Sequence, residues 1–210
     1  MRTANAGVLL KLDNASILID GVCREVSPYP ATPLWVKQKL CDLLPDAVCF
    51  THAHGDHYDP DFAALYRTMT RRPIVAPPEM GSCQRLQVGS VSVTAVNSRH
   101  IGKAGADTPH VSFVIRGSQC VWALGDSSPL QWQGREDLPK PDVLLVPYAY
   151  ACTEKGWQIA RSLGARKTVL LHMPPRDNDP AQLWPAVRTV AGEELGKNLV
   201  YLELGQQCSL

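Results

Sequence analysis

Apolar and polar residues along the chain follow two rhythms, one of period two and one of three to four. VLLKLDNASILID reads as two strands joined at an Asp13-Asn14 turn. TPLWVKQKLCDLLP places Leu34, Val36, Leu40, Leu43 and Leu44 at helical spacing. DAVCF is a short apolar strand. The helix after it has a capping residue in Asp59 and a proline, Pro60, in its first position, and Phe62, Leu65 and Met69 supply its apolar face.

Further along, RPIVAPP is another short strand, and QVGSVSVTAV alternates with Val91, Val93 and Ala95 on one face. HVSFVIRGSQCVWALGD contains two strands around Gly117-Ser118. PDVLLVPY reads as a strand, TEKGWQIARSLGA as a helix ending near Gly164, and KTVLLHM as a buried strand. PAQLWPAVRTVAGEELG reads as the last helix, with Pro185 either kinking it or delaying its start. Strands dominate the first half and alternate with helices in the second, so the pattern predicts stacked sheets with helices outside them. No low-complexity tract or linker interrupts the chain. Its 210 residues suit one compact domain, or two similar half-domains sharing a core.

Composition adds mainly exclusions. Apolar residues make up 45% and charged residues 20%, ordinary values for a globular chain. A net charge of +1 gives no global field to recruit nucleic acid or an anionic membrane, although a local basic patch stays open. No segment approaches the roughly 20 apolar residues that span a bilayer. The N-terminal run VLL is broken at Lys11, so there is no secretory h-region. These features predict a cytoplasmic protein. Seven cysteines, at 23, 41, 49, 83, 120, 152 and 208, are odd in number and widely spread, and none forms a C-x-x-C pair. Reduced thiols in or near the core are therefore expected, and neither a disulfide framework nor a thiolate metal site.

The stretch FTHAHGDHYDP, residues 50 to 60, concentrates His52, His54 and His57 around Asp56, half of the six histidines in the chain. Residues two apart on a helix diverge by roughly 200°. On a strand His57 would point away from His52, His54 and Asp56. A strand end turning into a loop can gather all four, with Gly55 supplying unusual backbone angles. Convergent imidazoles and a carboxylate call for a cation, and neutral imidazole suits zinc and other borderline metals.

T-H-A-H-G-D-H resembles the H-x-H-x-D-H signature of the metallo-β-lactamase-fold hydrolases. The order continues along nearly the whole chain: His100 follows VSVTAV, Asp126 lies in VWALGDSS, and His172 closes TVLLHM. The resemblance implies an α+β fold, a four-layer αββα sandwich over residues 1–210 as one domain, with two divalent metal ions at one edge. It implies that His52, His54 and His100 hold the first ion and Asp56, His57 and His172 the second, with Asp126 bridging. His110 competes with His100 for its place. His100 is favoured because it ends a strand while His110 begins one, which leaves His110 to line the pocket or act as a structural histidine. Among subfamilies the chain is most similar to small ascorbate-phosphate-lactonase-like hydrolases, through PDVLLVPY, the Thr153 helix and LLHMP. It lacks the helical C-terminal domain of the glyoxalase II group and the nuclease insertion domain, and no long tRNA-clamping arm is evident.

The chemistry implied is hydrolysis by a metal-bound hydroxide, because zinc lowers the pKa of its water from 15.7 to roughly 7. Zinc is the default, and manganese or iron fits the same donors. Asp56 and Asp126 are the candidate catalytic carboxylates, Asp56 also orienting or receiving the water proton. The expected substrate is a small molecule carrying an ester, lactone, amide or phosphoester, with no nucleic acid or membrane partner. The alternatives are a metal-dependent phosphodiesterase or nuclease, and a metal-binding relative without turnover. Several residues keep two readings. The proline-rich loop at 27–33 is a substrate cover or a rigid connector. Either Tyr148 or Tyr150 reaches the pocket, Tyr148 being the substrate-binding candidate beside His110, or both pack in the core. Arg99 and Lys103 meet an anionic substrate or are solvated. Asp20 supports the metal-binding loops or simply forms a turn.

Overall fold

The computed structural model describes residues 1–80, 84–102, 105 and 107–209. Strands β1 (Val8–Leu12) and β2 (Ala15–Ile19) form the expected hairpin, in register from Val8 opposite Ile19 to Leu12 opposite Ala15. Its turn places Asp13 at φ 51°, a left-handed conformation that a short polar side chain tolerates. The Asp13 carboxylate accepts hydrogen bonds from the Ser118 amide (3.1 Å) and the Ser90 hydroxyl (3.3 Å) across on the other sheet. Helix α1 (Leu34–Leu43) crosses to β3 (Ala47–Cys49), and α2 (Pro60–Thr70) crosses to β4 (Ile74–Val75). Such helices are the connections that parallel neighbours require. The first sheet therefore has the order β1-β2-β3-β4, with β2, β3 and β4 parallel.

The second sheet starts as an antiparallel meander of β5 (Arg85–Val88), β6 (Val91–Asn97), β7 (Val111–Arg116) and β8 (Cys120–Ala123). It continues through parallel β9 (Val143–Pro147), β10 (Lys167–Leu171) and β11 (Leu199–Tyr201). Helices α3 (Tyr148–Ala151), α4 (Glu154–Ser162) and α5 (Leu183–Ala191) lie between the parallel strands in sequence.

Three apolar layers hold these elements together. Ile17, Cys49 and Val75 of the first sheet meet Phe113, Ile115 and Val121 of the second in the inter-sheet core. Leu18, Val48 and Ile74 face outward onto Val36 and Leu40 of α1 and Phe62 and Tyr66 of α2. Trp122, Leu144 and Leu170 face outward onto Tyr150, Trp157 and Val187 of the other helices. The central strands are buried on both faces, which is why they read as unbroken apolar runs. The result is the expected αββα sandwich.

Some local expectations fail. The alternating stretch at residues 87–96 is a hairpin, because Gly89 (φ 57°) turns the chain between β5 and β6. β11 and α3 are too short to register as periodic patterns. Pro185 falls in the first turn of α5, where its missing N–H is one of the unpaired donors anyway, so it neither kinks the helix nor delays its start. That helix ends at Ala191 and does not run through GEELG.

Asp59 caps α2 as expected, accepting from the amides of Asp61 (3.0 Å) and Phe62 (3.3 Å) and from Lys37 Nζ (2.8 Å). Burial alone would raise its pKa, but Lys37 and the backbone donors outweigh burial and lower it. Its contribution to stability is thus present above the unfolded carboxylate pKa, about 3.9, and is lost as pH falls through the lower folded value. Replacing Asp59 with Ala should reduce unfolding free energy by about 1–2 kcal/mol at neutral pH in urea titrations, with a smaller loss at pH 3.

Candidate metal centre

Seven residues predicted as donors come together at one end of the sandwich. His52 follows β3. Backbone bonds from the His57 and Tyr58 amides to the His54 carbonyl (3.0 and 2.9 Å) fold the chain into the turn that presents His54, Asp56 and His57. His100 is brought in by pairing of residues 99–101 with 126–128: the Ile101 amide bonds the Asp126 carbonyl (2.8 Å) and the Ser128 amide bonds the Arg99 carbonyl (2.8 Å). Asp126 follows β8 through Gly125, at φ 53°, and His172 ends β10 at φ 57°. The left-handed turns therefore fall at 125 and 172, together with Asp20 at φ 46°, and not at Gly55 as expected. At Gly55 the neighbourhood is tight, since a Cβ there would lie 3.0 Å from the Val26 side chain, which would have to shift by a few tenths of an ångström.

Three sets of ligand-capable atoms each lie within 4.8 Å of one another: His52, His54 and His100; His52, His57 and Asp126; and Asp56, His57 and His172. Asp126 Oδ2 is the hub, 3.5 Å from His57 Nε2, 3.7 Å from His100 Nε2 and 3.4 Å from His172 Nε2. His110 belongs to none of these sets. Its ring lies 5.1 Å from that of His52 and 5.7 Å from that of His100.

Hydrogen bonds on the outer sides of the rings determine which nitrogens carry protons. Asp20 is buried after β2. It accepts from the Thr51 amide (2.8 Å), the Thr51 hydroxyl (2.7 Å) and His57 Nδ1 (2.9 Å). With its proton given to Asp20, the Thr51 oxygen accepts from His52 Nδ1 at 2.9 Å. His100 Nδ1 donates to the Ile101 carbonyl at 2.7 Å. His52, His57 and His100 therefore all carry a proton on Nδ1, which leaves Nε2 as the ligating nitrogen. Among the described residues, those three Nε2 atoms and Asp126 Oδ1 are buried without a hydrogen-bond partner. Buried polar atoms seldom go unpaired, and imidazole nitrogens gathered around a carboxylate fit a cation. His172 is arranged differently: Nε2 faces Asp56 Oδ2 at 3.1 Å, while its buried Nδ1 has no partner.

The electrostatics agree with this donor set. Burial, then the neighbouring His57, lowers the pKa of His52 well below its usual value, and burial followed by His100 lowers that of His54. Burial opposes a charge on His57 as well, but Asp126 and Asp20 raise its pKa well above normal, so without a cation its Nε2 holds a second proton that a metal ion displaces on binding. Burial would raise both carboxylates, yet His172 and His57 keep Asp126 well below the usual range and hold Asp56 down too. The cluster thus holds ionised carboxylates that call for positive charge between them.

His110 is oriented by a separate chain of bonds. The Ser112 hydroxyl donates to the Leu124 carbonyl (2.8 Å), Ser98 donates to Ser112 (3.0 Å), and Ser98 accepts from His110 Nδ1 (2.7 Å). Its Nε2 is also bare, and burial pushes its pKa down to about 3, so the ring stays neutral.

At the rim, Tyr148 lies 5.5 Å from the His172 ring, and Tyr29, in the proline-rich loop, lies edge-on to it at 4.6 Å. Burial above all raises both phenol pKa values, so both keep their protons. No hydrogen bond of either hydroxyl is found among the described residues. Tyr29 was not a sequence candidate; the loop that carries it was. Tyr150 packs in the core, its hydroxyl 3.0 Å from the Ser127 hydroxyl. Arg99 is exposed, and Lys103, like Cys83, lies outside the described residues.

With the site in view, comparison with known proteins gives its class. Residues 4–162 match the Beta-lactamase superfamily domain. The chain belongs to that family. Several solved structures share the fold. One from Veillonella parvula, described as a possible metal-dependent hydrolase, aligns at TM-score 0.68 with 18% identity, covering 99% of this chain and 97% of that one. An isothiocyanate hydrolase from gut bacteria of Delia radicum aligns at 0.63 with 16% identity over 99% and 97% of the two chains. The metallo-β-lactamase fold protein YhfI from Bacillus subtilis aligns at 0.61 with 19% identity over 97% and 90%. No curated protein matches in sequence.

The Asp20 network generates a direct test. Asp20→Asn preserves shape but removes the charge that His57 and Thr51 point toward. It should weaken zinc affinity about 10–100-fold in chelator competition while leaving the circular dichroism spectrum intact.

Proposed function

We propose that the chain is a dinuclear metal-dependent hydrolase of small molecules, cleaving an ester, lactone, amide or phosphoester. The carrying observation is that the buried Nε2 atoms of His52, His57 and His100 have no hydrogen-bond partner among the described residues, while these histidines fall into ligand sets with His54 and Asp126 whose atoms lie within 4.8 Å of one another. In this reading His52, His54 and His100 would hold one cation, and Asp56, His57 and His172 would hold the other. Asp126 would serve both, which its position at the hub of three imidazoles supports. Zinc suits these donors by default, and manganese or iron fits as well. When bound, such a pair lowers the pKa of a shared water toward neutrality and polarises the bond to be cleaved.

The rest falls to side chains. Asp56 is ionised and sits at the second set, so it orients the attacking water and accepts its proton. Tyr148, joined by Tyr29, offers a phenol hydrogen to a substrate oxygen beside His172. His110, neutral and with an unpaired buried Nε2, accepts a hydrogen bond from the substrate. We read residues 1–210 as one domain of this kind, because β10 and β11, beyond the matched segment, complete the same sheet and β10 delivers His172. The narrower likeness to ascorbate-phosphate-lactonase-like hydrolases directs the choice of lactone and phosphoester substrates. No helix among the described residues is long and apolar enough to cross a membrane. Cys23, Cys41, Cys120, Cys152 and Cys208 are free thiols, which supports the reading of a reducing, cytoplasmic setting.

Elemental analysis joined to a panel of esters, lactones, amides, phosphodiesters and an isothiocyanate tests this reading. Asp126→Ala should lower metal occupancy and turnover together, by more than the ~100-fold seen for outer partners. His110→Ala should keep the metal and impair turnover alone; an emptied site would exchange its role with that of His100. Full loading with no turnover on any substrate would leave a metal-binding protein and not a hydrolase. Because the imidazoles must be neutral to ligate, metal should be released below about pH 5.5, and content unchanged at pH 5 would count against the donor set.

A further inference from the structure

The segment before β1 joins His172 of one sheet to Asp20 of the other. The His172 amide donates to the Asn5 carbonyl at 3.2 Å. Two residues on, Gly7 is pressed against the turn after β2, where a Cβ would lie 2.5 Å from the Asp20 carbonyl oxygen. Between them, Ala6 lines the same tight hollow as Asp20, Asp126 and His172. The segment is firmly held. The Thr3 amide donates to the Gly7 carbonyl (2.8 Å), and the buried Arg2 guanidinium donates to the carbonyls of Ala4 (3.1 Å) and Leu202 (3.0 Å). Thr3 is fully buried, and Asn5 keeps 6% of its surface.

Polar atoms in and beside this segment are left over. Thr3 Oγ1, both carboxamide atoms of Asn5 and His172 Nδ1 are buried without a hydrogen-bond partner among the described residues. Such groups rarely stay unpaired in a folded chain. His172 Nε2 faces Asp56 Oδ2 at 3.1 Å and Asp126 Oδ2 at 3.4 Å, so Nδ1 is its outer nitrogen. When Nε2 serves as a ligand, the ring proton sits on Nδ1 and needs an acceptor. His52, His57 and His100 have theirs in Thr51, Asp20 and the Ile101 carbonyl. Apart from Thr3 and Asn5, the unpaired buried side-chain oxygens among the described residues belong to Gln119 and Asp126. Gln119 precedes β8, which runs parallel to β9 and β10, so it lies at the far end of the sheet from His172. Asp126 stands on the Nε2 side of the ring.

We propose that Asn5 is the positioning residue of His172: its carboxamide oxygen accepts the Nδ1 proton, and its carboxamide nitrogen donates to Thr3 Oγ1. The backbone bond between Asn5 and His172 starts their side chains from neighbouring positions, so rotation of the Asn5 side chain completes the contact. A carboxamide suits this place because it both accepts and donates, and the single network uses every one of the atoms left over around Asn5. The inference rests on the reading of the site as a metal centre in which His172 ligates through Nε2.

Zinc titration of the full chain by chelator competition, joined to isotope-labelled histidine NMR of the zinc-loaded protein, tests this. Asn5→Ala should weaken zinc about 10–100-fold, the usual effect of losing a ligand's outer partner. Asn5→Asp keeps an acceptor and should restore most of that affinity. In a His172→Ala background Asn5→Ala should cost nothing further, because the two residues act as one unit; a merely structural role would lower affinity in both backgrounds. In the wild type His172 Nδ1 should carry a proton that exchanges slowly with water. The proposal is overturned if Asn5→Ala binds zinc as the wild type does, if its loss persists undiminished beside His172→Ala, or if Asn5→Asp binds no better than Asn5→Ala. If Asn5→Ala does not fold, the wild-type spectrum still decides, and a His172 Nδ1 without a proton overturns the proposal. A wild type that takes up no zinc would sink the metal-centre reading itself, and this inference with it.

Discussion

The buried carboxylate of Asp20 is the interaction on which the candidate site depends. It receives the Thr51 amide, the Thr51 hydroxyl and His57 Nδ1 at 2.7 to 2.9 Å. Through these bonds it sets the proton position of His57 directly and that of His52 through Thr51. Neutral imidazole can carry its hydrogen on either nitrogen, so a ligand set built from histidines is defined only when the outer nitrogens are committed. A single acid, held in a left-handed turn after β2, commits two of them.

The fold makes that commitment useful by delivering donors from both sheets. The first sheet supplies the turn after β3, with His52, His54, Asp56 and His57. The second supplies the ends of β8 and β10, with Asp126 and His172, and the segment after β6, with His100. Strand ends are where side chains can leave the periodic alternation of the sheet, and the left-handed residues at 20, 125 and 172 mark where the chain does so. The helices on the outer faces pack against the sheets, and their outward-facing contacts leave this edge free for polar side chains.

Much of this was legible in the sequence because it was local or strongly patterned. Continuous apolar strands, the Asp59-Pro60 helix start and the crowding of histidines at 52–57 all carry their meaning within a few residues. His100, Asp126 and His172 could be nominated because each follows a strand. What escaped depends on distant partners. Tyr29 meets His172 only through the path of a loop, and the Ser98–Ser112 chain that orients His110 links two strands. The tight space at Gly55 comes from Val26, a contact that spacing cannot show. β5 was masked because Gly89-Ser90 sits inside an alternation that continues on both sides.

Gly125 joins two of these networks. A methyl group there would sit 2.6 Å from Thr51 Cγ2 and 2.9 Å from His110 Nε2, in a backbone conformation that already excludes most side chains. The threonine that orients His52 and the histidine that stands behind it are therefore both pressed against one bare backbone. Any change of residue at 125 would disturb two ring orientations at once, whereas Tyr29 and Tyr148 at the outer rim can vary without touching that junction.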